Sequence, residues 1–404
     1  MNGRIVPIHQ LTDDEVRAWR DLAEHAVEPN PLFEAECLIP AVHHLPNGAQ
    51  MSLVVAEEGG RFFGCFPVLR VPGNVQPCNS WAGIHRPTFT TQVRRLRYDG
   101  TPLVRGERSV EAVEALLSVL THRGGENDAG ILVLESIDAG PVSSFFTIAA
   151  KRLRLPIHVY RTWQRPVVRR RDEMTYWDSR HVESAGTLAR KSRQLGKKLG
   201  GEVEIVDRSA DPSAIDTLIA IEARGYKSEA ETAFASNPGE SEWFREMCAH
   251  FRRSHRVVLH SLQVDDSVVA MDMSIRAGEG LFEILNAYDE SHAKHSPGIQ
   301  LIFDVISHFH NETDAQWLDS CTNVGNRTLL RMYPDRRSVS TVLVGVGGPL
   351  DRALLRLAVV GQNLVGVDSA FRQRQPRLSR GIDWLLAKFV LPSHKAQVGD
   401  IPDH

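Results

Sequence analysis

The segment Leu281–His310, LFEILNAYDESHAKHSPGIQLIFDVISHFH, restricts the folds open to this chain more than any other stretch. Leu281 to Ala287 is a short apolar run without Gly or Pro, which predicts a buried strand. The polar run YDESHAKHS that follows reads as a loop. At Ser296-Pro297-Gly298 the period changes: Ser suits an N-cap, Pro suits the first helical position, and Ile299, Leu301, Ile302, Val305, Ile306 and Phe309 recur at helical spacing. Strand, loop and helix start together outline an anion site. A helix's first turn offers unpaired N–H groups and the positive end of its dipole, and His292, Lys294 and His295 stand just before it. The plainer reading is a connector in an α/β protein that binds nothing, since fold elements alone do not imply function.

The rest of the chain places this unit in a larger plan. At 404 residues it exceeds the size at which single cores stop growing, so two domains are expected. In the first half a charged amphipathic start (13–26) is followed by a helix fed by NPLFEAECLIPAVHHL and by a hairpin over Met51–Val71 turning at Glu57–Gly60. A strand is expected around Val93–Tyr98, a turn at Asp99–Pro102, a helix over Val110–His122, a strand over Gly130–Ser136 and a helix over Val142–Leu153. The second half repeats that order: strand Val203–Val206, helix Pro212–Gly225, helix Ser241–Arg253, hairpin Val257–Ile275, the opening unit, and strand Trp317–Asp319. The fold class expected is α/β (α+β), two mixed-sheet domains of one plan in tandem, bounded at 1–165 and 166–348, with a cleft between them and a helical extension and tail over 349–404.

Charge bears on the ligand. The formal net charge of −3 argues against bulk nucleic-acid binding, while local basic segments can still steer an anion. The helical segment Leu188–Leu199 carries Arg190, Lys191, Arg193, Lys197 and Lys198 and ends at the C-cap pair Gly200-Gly201. Two readings stand open: a solvated face whose cations suit its own C-terminal dipole, or a surface that attracts an anionic substrate. The Arg-rich helices after Val346 are expected to pack on the second domain, with docking to an anionic membrane or a protein partner as the alternative. Without an 18-residue apolar run or a signal-peptide core, a cytoplasmic location, or one peripheral to a membrane, is the expectation. Five scattered cysteines fit reduced thiols, and the 17 histidines include no pair with the spacing and carboxylate of a metal site, so no metal is assigned.

Several motifs carry a family resemblance. Glu222-Ala-Arg-Gly-Tyr226-Lys227 with Thr232-Ala233, the AYDESHAKHSPG run, Asp319-Ser320-Cys321 and Tyr333-Pro334-Asp335-Arg336-Arg337, with Asn30-Pro31-Leu32-Phe33 and Gly100–Val104 in the first half, resemble the GNAT acyltransferase superfamily in its CelD-like branch. The two-domain plan is similar to that of FemX-like aminoacyl transferases. The pyrophosphate loop of such proteins, Gln/Arg-x-x-Gly-x-Gly/Ala, falls on His295-Ser296-Pro297-Gly298-Ile299-Gln300; the first Gly is kept and Gln300 stands where a small residue is usual.

The resemblance implies an N-acyltransferase, N-acetyltransferase in the first instance, taking acetyl-CoA or another acyl-CoA as co-substrate and an amine-bearing small molecule or polymer precursor as acceptor. His295, Ser296, Gly298, Ile299 and Gln300 would cradle the diphosphate, and backbone N–H groups near Asn286, Ala287 and Tyr288 would face the developing oxyanion. Asp319, Glu222 and Asp289 are candidates for the general base, with turn capping as the competing role for Asp319. Tyr333 would protonate the leaving thiolate, or stand as a buried tyrosine with one hydrogen bond. Tyr226, Lys227, Arg336 and Arg337 would contact the acceptor or pair with carboxylates of the fold. Cys321 lacks a His partner nearby and direct transfer needs no acyl-enzyme, so it is expected as a wall residue. Two alternatives remain: aminoacyl transfer from charged tRNA, with the basic helix on phosphate, and a non-catalytic scaffold in envelope or exopolysaccharide assembly.

Overall fold

The computed structural model describes residues 1–71, 88–91, 100–121, 129–171, 185–224, 234–322 and 327–357. In chain order the first half contains β1 (Asn2–Pro7), α1 (Asp13–Glu24), α2 (Ala35–His44), β2 (Ser52–Glu58), β3 (Arg61–Val71), β4 (Thr88–Thr90), β5 (Leu103–Val104), α3 (Ser109–Thr121), β6 (Ile131–Asp138), α4 (Pro141–Arg152) and β7 (Ile157–Arg169). The second half contains α5 (Ala185–Leu199), β8 (Val203–Asp207), α6 (Ala214–Glu222), α7 (Pro238–Arg253), β9 (Val257–Val264), β10 (Ser267–Ala277), β11 (Gly280–Tyr288), α8 (Pro297–Asn311), β12 (Trp317–Asp319), α9 (Arg327–Met332) and β13 (Asp335–Gly345). The expected tandem α/β plan is present. Local chemistry accounts for many boundaries: Thr12 and Glu15 form a reciprocal capping box on α1, and Pro occupies the first turn of α4, α7 and α8.

The sheet order β1-β2-β3-β4-β6-β13-β7-β12-β11-β10-β9-β8 shows the duplication directly. Four strands and a parallel fifth from one half (β1 to β4, then β6) mirror β8 to β11 and β12 from the other, with β4·β6 and β11·β12 the parallel pairs. The last strand of each half is exchanged. β13 pairs with β6 of the first half, β7 pairs with β12 of the second, and β7 and β13 run antiparallel against each other in the middle. β7 therefore runs through Arg165 and Pro166, where the sequence suggested a boundary, and β1 and β13 are strands that the sequence reading did not contain. Residues 1–352 form one compact unit.

At the crossing, Arg165 of β7 lies directly opposite Arg337 of β13. Asp319 lies opposite Val167 and Asp138 opposite Val339, two residues beyond each arginine, so the four charged residues obey the same pseudo-twofold relation as the strands. Arg337 Nη1 donates to Asp319 Oδ2 at 3.0 Å and approaches Asp138 Oδ2 at 3.1 Å; Arg165 Nη1 stands 3.6 Å from Asp319 Oδ2. Gly280 has a geometric task here, because a Cβ would lie 2.1 Å from the Trp317 ring; that ring carries the Arg337 guanidinium 4.1 Å from its centroid.

Outside the sheet the halves are joined by α2 and α7. Trp243 Nε1 donates to the Cys37 carbonyl at 3.1 Å and His44 Nε2 meets Glu246 at 2.6 Å. Buried Glu34 receives both Nη groups of Arg256 at 2.6 Å each. The two first-half motifs also meet: Asn30, fully buried, accepts from Leu32 N–H and donates to the Thr101 carbonyl, while Thr101 Oγ1 accepts from Asp138 N–H. They pin the end of β6 at which Asp138 stands. Truncation of Glu34 strands Arg256 at a buried join, so Glu34→Ala should lower unfolding free energy by about 3 kcal/mol in urea titration; a loss below about 0.5 kcal/mol would show that the pair does not hold the halves together.

Candidate functional site

The strand, loop and helix of the 281–310 segment are formed as the sequence suggested, with differences in how they are tied. Asp289 ends the strand by accepting from Ser291 N–H at 2.9 Å, and residues Glu290–His295 wind into a 3-10 turn where an irregular loop was expected. Ser296 then adopts a left-handed conformation (φ 51°) and α8 starts at Pro297. Ser296 does not cap α8 with its side chain, because that hydroxyl is held by Lys191 Nζ at 2.8 Å. The N–H groups of Gly298 and Ile299 are thus left uncapped at the positive end of a four-turn helix.

Gln300 turns back toward the chain before it. Its amide N–H₂ donates to the His295 carbonyl at 2.8 Å and its backbone N–H bonds the Ser296 carbonyl, so the residue in the usual place of a small one braces the turn. Gly298 allows the Tyr288 ring to lie close, since a Cβ there would stand 3.2 Å from Tyr288 Cδ1.

The basic helix α5 packs against this turn, so cations of both elements meet at one groove. Gln194, Lys197 and Lys198 from α5 and Lys294 and His295 from the turn line an open depression of about 630 Å³. Lys198 Nζ also reaches the Ser291 carbonyl (3.4 Å) and His292 Nδ1 (3.1 Å). Burial, then Lys198, holds His292 below the ordinary histidine range. A cationic groove beside an uncapped helix start is suited to phosphate oxygens.

A second feature lies on β11. Its ladder with β12 covers only Gly280–Phe282, opposite Trp317–Asp319, whereas β11 continues to Tyr288 along β10. β12 ends at Asp319, so past Phe282 the edge of β11 carrying Asn286, Ala287 and Tyr288 is off that ladder and open on this side. Behind the opening lies a buried polar cluster. Asp272 of β10 and Glu283 of β11 interact with each other; Asn286 Nδ2 donates to Asp272 Oδ2 at 3.0 Å, and Tyr333 Oη donates to Glu283 Oε2 at 2.7 Å. Burial raises both carboxyls, Asp272 to about 6, and the Asp272 charge raises Glu283 further. Two like charges close together and away from water cannot both ionise readily, so burial and mutual repulsion favour keeping a proton on the pair.

The other expected residues are placed as follows. Asp319, with no exposed surface, has both oxygens engaged: Oδ1 accepts from Cys321 N–H at 2.8 Å and Oδ2 faces Arg337 and Arg165. Glu222 at the end of α6 accepts from Phe234 N–H at 2.9 Å. Arg336 donates to the carbonyls of Leu330, Tyr333 and Asp335, and Arg337 lies in the central charged group. Cys321 is a buried residue beside Ala277 and Phe282. Tyr226 and Lys227, like the expected strand at Val93–Tyr98 and most of the C-terminal helices, lie outside the described residues. The structure brings Asn286 and Tyr333 to one cluster and His295, Ser296, Gly298 and Gln300 to another. Asp272 and Glu283 were missed, although each had a signal: a single acid inside an apolar strand, VVAMDMSI and LFEILNA. Among the described residues no His, Cys, Asp and Glu group has the geometry to hold a metal ion, and no helix is long and apolar enough to cross a membrane.

Comparison with known proteins agrees with this geometry. Residues 184–326 match the family model described as "Acetyltransferase (GNAT) domain". No curated protein matches the chain. Among solved structures, FemX superposes with a TM-score of 0.56 at 8% identity, covering 88% of this chain and 99% of its own. A conserved protein of unknown function from Bacteroides thetaiotaomicron superposes with a TM-score of 0.50 at 9% identity, covering 83% and 97%. At such identities the likeness is one of fold. Residues 184–326, which hold both the basic groove and the open edge of β11, are similar to the GNAT acetyltransferase domain, and the two-domain fold is similar to that of FemX.

Proposed function

We propose that this protein is an N-acyltransferase that moves an acyl group, in the first instance acetyl, from acyl-CoA to an amine by direct attack. The observation that carries this reading is the meeting of the uncapped first turn of α8 with the cations of α5 and the preceding turn in one groove. There the donor's diphosphate would bind Gly298 and Ile299 N–H groups with Lys198 and Lys294 nearby. The thioester would then extend toward the open edge of β11, where backbone N–H groups near Asn286 to Tyr288 would meet charge developing on its carbonyl oxygen.

The neutral amine attacks the carbonyl carbon; the new N–C bond forms, the C–S bond breaks, and one proton leaves the nitrogen. We assign its acceptance to the Asp272–Glu283 pair, which at neutral pH carries one negative charge and can take a second proton. Tyr333, expected as the acid for the thiolate, is joined to that pair through Glu283. Asp319 and Glu222 are held in place by arginines and a backbone amide and serve the architecture of the site. A second reading, aminoacyl transfer from charged tRNA, is favoured by the length of the cationic face on α5. Binding of tRNA that weakens steeply with salt, without binding of acetyl-CoA, would replace the first reading with the second.

The donor assignment is tested by calorimetric titration with acetyl-CoA. The chain should bind it, and Lys198→Glu with Lys294→Glu should weaken binding at least about tenfold, roughly 1.4 kcal/mol, without changing Tm. Equal affinity in the double variant would contradict the placement. The acceptor side is tested by pH. Because the native Asp272 carboxyl titrates near 6, above its unfolded range, its contribution to stability is complete below about pH 4 and is lost as pH rises through 6. Asp272→Asn removes that term, so wild type should lose Tm relative to the variant between pH 4 and 7. Parallel Tm curves would show that the pair does not hold a shared proton.

A further inference from the structure

One side chain in the groove is used neither by the fold nor by the steps above. His295 closes the 3-10 turn, is 6% exposed, and lines the depression beside Gln194, Lys197, Lys198 and Lys294. Neither of its ring nitrogens has a hydrogen-bond partner. A buried imidazole ordinarily donates through one nitrogen and accepts through the other, and both positions of this ring are open to a ligand. Nearby groups do not supply one: Gln300 engages the His295 backbone carbonyl, and Lys191 engages the Ser296 hydroxyl.

The charged groups facing His295 come from two elements and have one sign. Lys294 and His292 stand on its own turn, and Lys191 and Lys198 on α5. Burial first and these cations next push its pKa below the ordinary histidine value, so the ring is neutral in the open groove. A polyanion placed among the same cations reverses the local potential. Two N–H donors are then favoured over one.

We propose that His295 is a direct ligand of the donor's phosphate and takes up a proton from solvent as the donor binds, becoming a doubly donating imidazolium. No covalent bond changes; the proton comes from buffer and returns on release. The inference rests on the donor reading above and adds its linkage to pH. Affinity should rise as pH falls through the neutral range, because the bound state holds more protons than the free state.

The test is calorimetric titration of the full chain with acetyl-CoA at pH 7 in HEPES and in Tris, whose ionisation enthalpies differ and which carry no competing phosphate. Wild type should take up at least about half a proton more per ligand bound than His295→Gln; the difference cancels the ligand's own phosphate ionisation. Relative to that variant, wild-type affinity should also tighten about threefold or more from pH 8 to pH 6. Equal proton uptake in the two proteins, each binding the donor, would overturn the role of His295 while leaving the donor reading intact. Inorganic pyrophosphate in place of acetyl-CoA separates the two claims. Binding of pyrophosphate with His295-dependent uptake, but no binding of acetyl-CoA, would keep His295 as a phosphate ligand and discard the acyl-CoA reading. Failure of both probes to bind would overturn both claims.

Discussion

The arrangement depends on the pairing of two arginines and two aspartates where β7 and β13 cross. Each half gives its last strand to the sheet of the other, and Arg165 and Arg337 consequently face each other across the exchanged pair. Two guanidinium groups side by side in a buried place would repel; Asp319 from β12 and Asp138 from β6 remove that conflict. Such a group contributes less to net stability than to specificity, because its charges tolerate no other register of the strands. Slippage by one residue would leave buried charges unpaired, at several kcal/mol each.

The same crossing shapes the site. β12 is a three-residue strand bound on one side to β7 and on the other to only the first three residues of β11. It ends at Asp319 for both neighbours, and the edge from Glu283 to Tyr288 is left off the ladder. The opening therefore arises from sheet topology, with no need for a special loop. α8 starts near the end of the same strand, so its first turn and the open edge of β11 are connected by a few residues of chain. In the proposed reaction, the two chemical requirements of acyl transfer, an anchored donor and a polarised carbonyl, would be met by one strand and the helix that follows it.

Much of this was legible in the residues because it is local. Apolar periodicity marked β11 and α8, Pro297 marked the helix start, and two hairpins with polar turns revealed the repeated plan. What the residues concealed is nonlocal. β13, which begins with charged residues and follows a helix of six residues, has little to announce it as a central strand, and only its partners β6 and β7 bury it. Ser296 is the N-cap residue expected, but without the side-chain bond, because Lys191, about a hundred residues earlier, takes its hydroxyl. Asp319 read as a turn-forming or catalytic carboxylate. It forms the turn, through Cys321 N–H, and its other oxygen is committed to arginines that no local window contains. Asp272 and Glu283 were hidden by their apolar neighbours, and their pairing depends on a register irregularity between Met273 and Ser274.

The central claim is that donor phosphate sits on the first turn of α8, in the second half of the duplicated plan. A crystal structure of the protein with bound CoA tests it most directly. The account predicts diphosphate density within hydrogen-bond distance of the Gly298 and Ile299 N–H groups, with the pantetheine directed to the open edge of β11. Density at the start of α3, the matching place in the first half, or on any surface away from α8, would contradict it.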